Sequence, residues 1–262
     1  MVLLCSFALA EEPVFEGTQE GDEVREASMS LVAEVGGAVT TGNVDFFVVS
    51  GSLDGEHRWG NHRVMLDAGG LQGKSRLDAD GDGVLSDAER AQPRVENARR
   101  VFGDLRYDRF LGKKNSLYVL GGAFTDIYAG YDLRTHEQLG YSRLLYGTEN
   151  TELVGEIGVD FAQENYVDGI DPNRANILAG RAMLGLSHSL NDSVKFSDRV
   201  EVYENLLDRQ DLRVLNTAAL TVRLSDAMAL KLSHSLVFDN VPVEGFRKLD
   251  QTATVSIVTT LL

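Results

Sequence analysis

Apolar residues return at every second position along most of this chain, and that period limits the fold more than any other feature. In ELVGEIGVDFAQE, Leu153, Gly155, Ile157, Val159 and Phe161 share one face, while Glu156, Gly158, Asp160 and Ala162 share the other. RVLNTAALTVRLSD sets Val214, Ala218, Leu220, Val222 and Leu224 against Thr217, Ala219, Thr221 and Arg223. MALKLSHSLVFD sets Leu230, Leu232, Leu236 and Phe238 against Lys231, Ser233 and Ser235, and TATVSIVTTLL repeats the pattern with Val255, Ile257 and Leu261. Side chains alternate across a strand, so a period of two means β-structure with one apolar and one polar face. The apolar face runs for about 10 residues, the length a tilted strand needs to cross a bilayer. A soluble sandwich would share the alternation with shorter strands.

The spacing of turn signals separates these two folds. Short turns fall near 58–61, 111–115, 147–151, 189–193 and 224–227; longer connections fall near 73–96, 129–135, 166–173, 206–211 and 238–248. They mark off about twelve strands in hairpin succession. Tight turns on one rim and longer loops on the other is the asymmetry of bacterial outer-membrane barrels. Closure also removes the exposed edges that an open meander would present. The expected fold is therefore all-β: a closed, antiparallel, up-and-down transmembrane β-barrel. Tyr107, Phe110, Tyr118, Tyr128, Tyr131, Tyr141, Tyr146 and Tyr166 lie near strand ends, where an interfacial girdle would place them.

Composition and the N-terminus fit export. The net charge is −15 and Lys and Arg are not clustered, which argues against nucleic acid as a partner. Residues 1–10, MVLLCSFALA, are apolar and end in the small-x-small Ala8-Leu9-Ala10, as a signal peptide does. Cleavage there would remove Cys5, the single cysteine, and with it any disulfide. Residues 11–27 read as an acidic periplasmic leader, and 28–262 as the barrel. No run approaches the ~18 apolar residues of a membrane helix. The expected location is the cell outer membrane, with lipid and the outer-membrane assembly machinery as partners and a monomer as the expected state.

One stretch does not belong to the strand pattern. Residues 78–89, DADGDGVLSDAE, fit the twelve-residue calcium loop at every position. Calcium takes six to eight oxygen ligands. The candidates are Asp78, Asp80, Asp82, the Val84 carbonyl, Ser86 (through water) and a bidentate Glu89; Gly83 permits the sharp turn. After the loop, Ser86 can cap a short helix that Pro93 stops; before it, GGLQGKSRL reads as a strand end. The expectation is half an EF-hand on an outer loop. It would hold structural Ca2+ with a Kd on the order of 10⁻⁴–10⁻³ M.

Most of the chain, from roughly Val35 to Leu262, resembles the salt-induced outer-membrane protein family. The likeness rests on TTGNVD at 40–45, EHRWGNHRVMLDA at 56–68 and FGDLRYDRFLGKKNSLYVLGGA at 102–123. SLNDSVKF at 189–196, LSDAMALKLSHSLVFDNVP at 224–242 and KLDQTATVSIVTTLL at 248–262 extend it. The resemblance implies an outer-membrane barrel of undefined role, connected with salt stress. The chain departs from that pattern in ending Leu261-Leu262 rather than in an aromatic residue, and in carrying the 73–96 insertion.

The sequence offers little for catalysis. Calcium with a twelve-strand barrel suggests an outer-membrane phospholipase, with His188 beside Ser187 and Ser189, or His234 beside Ser233 and Ser235, as candidates. Adjacent residues of a strand point to opposite faces, so neither His can serve its neighbouring Ser as base. His57, His62 and His136 show no metal spacing. A non-enzymatic barrel is expected. It is either a small-solute channel or a barrel closed by its own lumen charges, among them Asp67, Asp104, Arg106, Glu156, Asp160, Arg181, Arg199, Glu201, Arg223 and Lys231.

Overall fold

The structure is a computed structural model that describes residues 27–40, 45–76, 78–79 and 85–261. The expected signal peptide, and the expected leader apart from its last residue, lie outside the described residues. Twelve strands follow in chain order: β1 (Ser28–Thr40), β2 (Phe46–Trp59), β3 (His62–Ser75), β4 (Val95–Phe110), β5 (Asn115–Asp126), β6 (Tyr131–Gly147), β7 (Thr151–Tyr166), β8 (Arg174–Asn191), β9 (Val194–Asn205), β10 (Leu212–Arg223), β11 (Met228–Asp239) and β12 (Leu249–Thr260). Each pairs antiparallel with its sequence neighbours, and β12 pairs with β1, so the sheet closes on itself.

The alternation sorts side chains as the sequence requires. On β7, Ile157 is 64% exposed on the outer wall while Asp160 is 1% exposed inside. Val101, Leu105, Leu139, Leu184, Val255 and Ile257 continue the outer apolar surface. A soluble sandwich is excluded, because its apolar face would be covered by a second sheet. Inside, the buried apolar residues form only small separate clusters, such as Val48 with Leu71 and Ala98, and Phe110 with Val154 and Met183. The rest of the interior is polar.

The rims differ as expected, with one exception. The turn rim carries the connections after β2, β4, β6, β8 and β10; the loop rim carries the long 76–94 and 240–248 segments. The connection after β5 is only residues 127–130, because Gly130 at φ 92° and the Ala129 N–H bond to the Asp126 carbonyl make a tight reversal. Several aromatics expected in the girdle point into the lumen instead. Phe110 and Tyr118 are each 1% exposed, and a bulge after Tyr131 turns that ring inward too. Tyr107 and Tyr146 do look outward. Beside Tyr107, Trp59 stacks on His57 and His62 at the turn rim, where an interfacial anchor belongs.

The seam is the short ladder. β1 pairs with β2 along its whole length but with β12 only from Val32 to Gly36. Inside that seam Lys231 on β11 reaches past β12 to the Glu34 carboxylate at 3.0 Å, and the Ser256 hydroxyl on β12 donates to the same carboxylate at 2.5 Å. Three strands are thus tied across the closure. Both charges are buried, so removing one leaves the other without its partner, at a cost of about 3–5 kcal/mol. Glu34→Ala is expected to lower the temperature at which the folded band converts to the unfolded one in heat-modifiable gel migration. Replacing both residues by Met is expected to recover most of the loss.

Candidate functional site in the barrel lumen

The lumen is crossed by a chain of alternating charges that begins near the turn rim. Arg63 on β3 meets Asp108 on β4 at 3.3 Å. Asp108 takes a two-pronged hydrogen bond from Arg106, whose guanidinium reaches Glu156 on β7 at 2.7 Å. Glu156 also accepts from Arg181 on β8 at 2.8 Å, and Arg181 pairs with Glu201 on β9 at 2.6 Å. Glu201 takes Arg199 at 2.8 Å and the Tyr203 hydroxyl at 2.8 Å. A second knot lies nearer the loop rim, where Glu164 accepts from Arg213 at 2.6 Å and from Tyr166 at 2.6 Å, with Arg134 at 3.4 Å. Arg213 also faces Asp239 at 3.1 Å. Glu156, Arg181, Glu164 and Asp160 are almost wholly buried. Side chains therefore fill the waist of the barrel.

Most of the lumen charges expected from sequence belong to this layer or line the cavity above it. Asp67 and Asp104 line the cavity with Arg106, Asp160, Arg181, Arg199 and Glu201. Lys231 serves the seam instead, and Arg223, the last residue of β10, is exposed at the turn rim. Alternation alone did not single out Arg100, Arg134 or Arg213, although all three sit on the polar register of their strands.

The 76–94 loop is held at its base and partly described within. Asp45, just before β2, accepts from Arg94 at 2.5 Å and from Arg76, and the Arg76 N–H donates to the Asp45 carbonyl at 3.0 Å. The Arg94 hydrogen bond and the two cations hold the Asp45 carboxyl below the ordinary aspartate range. A lowered value in the folded state means the clasp is complete above that range and opens as pH falls through the lowered value. Of the expected calcium ligands, Asp80, Asp82 and Val84 lie outside the described residues. Ser86 caps the short helix α1 (Asp87–Arg90) through a reciprocal box with Glu89. Glu89 accepts from the Ser86 N–H at 2.8 Å, the Ser86 hydroxyl at 2.8 Å and the Ala79 N–H at 2.6 Å. These donors keep its carboxyl below the ordinary glutamate range.

The Ser and His residues are arranged as the strand geometry demands. Ser187 is buried on the lumen side, whereas His188 bonds Thr151 of the neighbouring strand at 2.8 Å. Ser235 is buried, whereas His234 bonds Gln251 at 3.3 Å. His136 meets Asp104 at 3.1 Å across β5.

Glycines make these crossings possible. Tyr118 on β5 is in register with Gly140 on β6, Gly158 on β7 and Arg181 on β8. The ring lies over Gly140, its hydroxyl reaches over Gly158, and that hydroxyl accepts from Arg181 at 2.7 Å. A Cβ on Gly140 would stand 2.5 Å from the Tyr118 ring carbon and hydroxyl, and one on Gly158 would meet the Leu139 carbonyl at 2.6 Å. Gly122 likewise opens the path from Asp104 to His136, since its Cβ would fall 1.6 Å from Asp104 Oδ1. Gly140→Ala is expected to lift Tyr118 off the wall and break its bond to Arg181. The expected loss is about 1–3 kcal/mol, the range for overpacking, read as an earlier urea unfolding midpoint and a changed tyrosine near-UV signal.

Solved structures of similar shape are outer-membrane barrels. The NanC porin has a TM-score of 0.52 at 12% identity, covering 88% of this chain and 100% of its own. An outer-membrane channel of Pseudomonas putida F1 has a TM-score of 0.46 at 12% identity, covering 93% and 100%. The translocator domain of the autotransporter NalP from Neisseria meningitidis has a TM-score of 0.45 at 12% identity, covering 92% and 90%. At such identities the likeness is one of fold. The NanC likeness and the apolar exterior together show a membrane-spanning β-barrel of the outer-membrane type. Comparison with curated proteins gives no match. Residues 33–260 match the family described as "Protein of unknown function, DUF481", and the chain belongs to that family.

Proposed function

We propose that this protein is a monomeric, non-enzymatic outer-membrane barrel, closed to free diffusion, that supports the cell surface under ionic stress. The observation that carries the closed state is the Arg106–Glu156–Arg181–Glu201 chain, which joins β4, β7, β8 and β9 through the waist. The resemblance to the salt-induced family supports the stress role. The turn rim faces the periplasm and the loop rim the medium, as in other barrels of this build. The other reading is a narrow small-solute channel. It is favoured by two cavities of about 190 and 120 Å³ that share Arg100, Phe124, Arg134 and Arg213 on the loop side of the ion-pair layer.

We also propose that the 78–89 loop binds Ca2+ outside the cell. The complete ligand spacing supports this, as does Glu89, which reaches back to the Ala79 N–H beside Asp78 and draws the two ends of the loop together. Glu89 already holds three donors that calcium would displace, in keeping with weak binding.

In planar bilayers the refolded protein is expected to be silent, and the Glu156→Ala/Arg181→Ala double variant to show single-channel steps. Stable steps from the unaltered protein would decide for the channel. Calorimetric titration of the whole barrel with calcium is expected to give a Kd on the order of 10⁻⁴–10⁻³ M. That heat should vanish in Asp78→Ala; its absence from the unaltered protein would remove the calcium site.

A further inference from the structure

Several large apolar side chains occupy lumen positions, against the polar-inside rule. Phe102 on β4 and Phe124 on β5 are direct cross-strand partners, and both line the larger cavity together with Leu120 and Leu215. Phe102 leans over Gly69, where a Cβ would come within 2.8 Å of its ring. An apolar group facing a water-filled lumen gains nothing by being there unless something covers it. The cavity these residues line measures about 190 Å³.

The same cavity carries an excess of fixed positive charge. Six arginines and four carboxylates line it. Most of the arginines are committed to the ion pairs described above, but Arg100 is not. Among the described residues no carboxylate lies within ion-pair distance of it; Asp126 and Asp104 act on it only from farther off. Its guanidinium sits over the Phe124 ring at 4.7 Å and near Phe102 at 5.9 Å, and its buried Nε makes no hydrogen bond. Stacking occupies the face of a guanidinium and leaves the in-plane N–H groups free to grip a carboxylate. Arg134 also approaches Phe124, at 5.8 Å, and its Nε is likewise without a hydrogen bond. Two rigidly seated donor edges thus stand beside an apolar wall.

We propose that this cavity is a binding site for a small organic carboxylate with an apolar body. Arg100 and Arg134 hold the carboxylate, and Phe102, Phe124 and Leu120 cover the body. A mostly apolar pocket with a few fixed polar groups is the usual make-up of a small-ligand site. The site lies on the loop side of the ion-pair layer, so a ligand from the medium reaches it without crossing the waist. The inference rests on the closed-barrel reading only for that access route.

Benzoate is the probe, titrated calorimetrically into the detergent-purified full-length barrel. Saturable binding is expected, at least tenfold tighter than acetate, with none for benzylammonium. Arg100→Gln is expected to weaken benzoate at least tenfold, and Phe102→Ala to erase the preference over acetate. Heat-modifiable migration of each variant confirms the folded barrel. Absence of saturable benzoate binding to the unaltered protein, equal affinity for acetate, or unchanged affinity in folded Arg100→Gln would each overturn the proposal. None of these results depends on conductance, so failure here and failure of the closed-barrel reading are read out separately.

Discussion

The polar groups of this chain have lipid on one side and a narrow lumen on the other, so they must satisfy one another. In hydrocarbon an unpaired backbone N–H or C=O costs several kcal/mol, and a sheet can cross only if no edge remains. That requirement fixes the closure of β12 on β1. It also fixes where closure is weakest. The ladder at the seam covers only Val32–Gly36 on β1, and there the buried Glu34–Lys231 pair with Ser256 adds side-chain links that the backbone lacks. Irregularities are kept from the middle of the wall. The bulges after Gly73, Phe124, Tyr131, Leu144 and Ser189 all sit near one rim or the other, where water or loop backbone can take the displaced groups.

Once the wall is closed, its tilt decides which interior groups can meet. Strands of a barrel slant against its axis, so a row of hydrogen-bonded neighbours climbs as it goes round. One such row runs Arg63, Asp108, Tyr118, Gly140, Gly158, Arg181, Tyr203, Arg213 and Asp239. It starts one residue into β3 at the turn rim and ends at the loop rim. Glycine in mid-strand usually weakens a sheet. Here Gly140 and Gly158 leave room for the Tyr118 ring against the wall, which restores the lost packing and carries its hydroxyl past two strands to Arg181 on β8. The alternation of large and absent side chains along one row is therefore what lets β5 and β8 touch inside the barrel.

The parts legible in sequence were those governed by a local rule. Parity along each strand sorted Ile157 from Asp160 and Leu232 from Lys231, and turn composition marked the ends of most strands. Ser86 as a helix cap was readable because a capping box spans only four residues. Partners were not readable. Arg106 and Glu156 are 50 positions apart, and Glu34 and Lys231 are 197 apart, so their meeting depends on strand register and tilt. Position near a strand end does not say which way a ring points: Tyr131 was expected in an outer girdle on that ground, and lies inside beside a bulge. The Arg100–Phe124 stack left a faint signal in the even-numbered apolar residues of β4 and β5. Phe102, Leu120 and Phe124 break the polar register, and a strand-by-strand reading passes over such breaks.

Those breaks and the ion-pair layer are two solutions to the same problem. A lumen of this width can be occupied by paired charges or by apolar rings, and the chain uses each at a different height. Paired charges fill the waist, where Glu156 bonds Arg106 and Arg181 and each guanidinium has its acceptors in place. Nearer the loop rim Arg100 stacks on aromatic rings, and among the described residues no carboxylate comes within ion-pair distance of it. A guanidinium tolerates that setting because it is weakly hydrated and its flat face suits a ring; a lysine ammonium would need water or an anion there. Substituting Lys at Arg100 would thus keep the charge and lose what seats it.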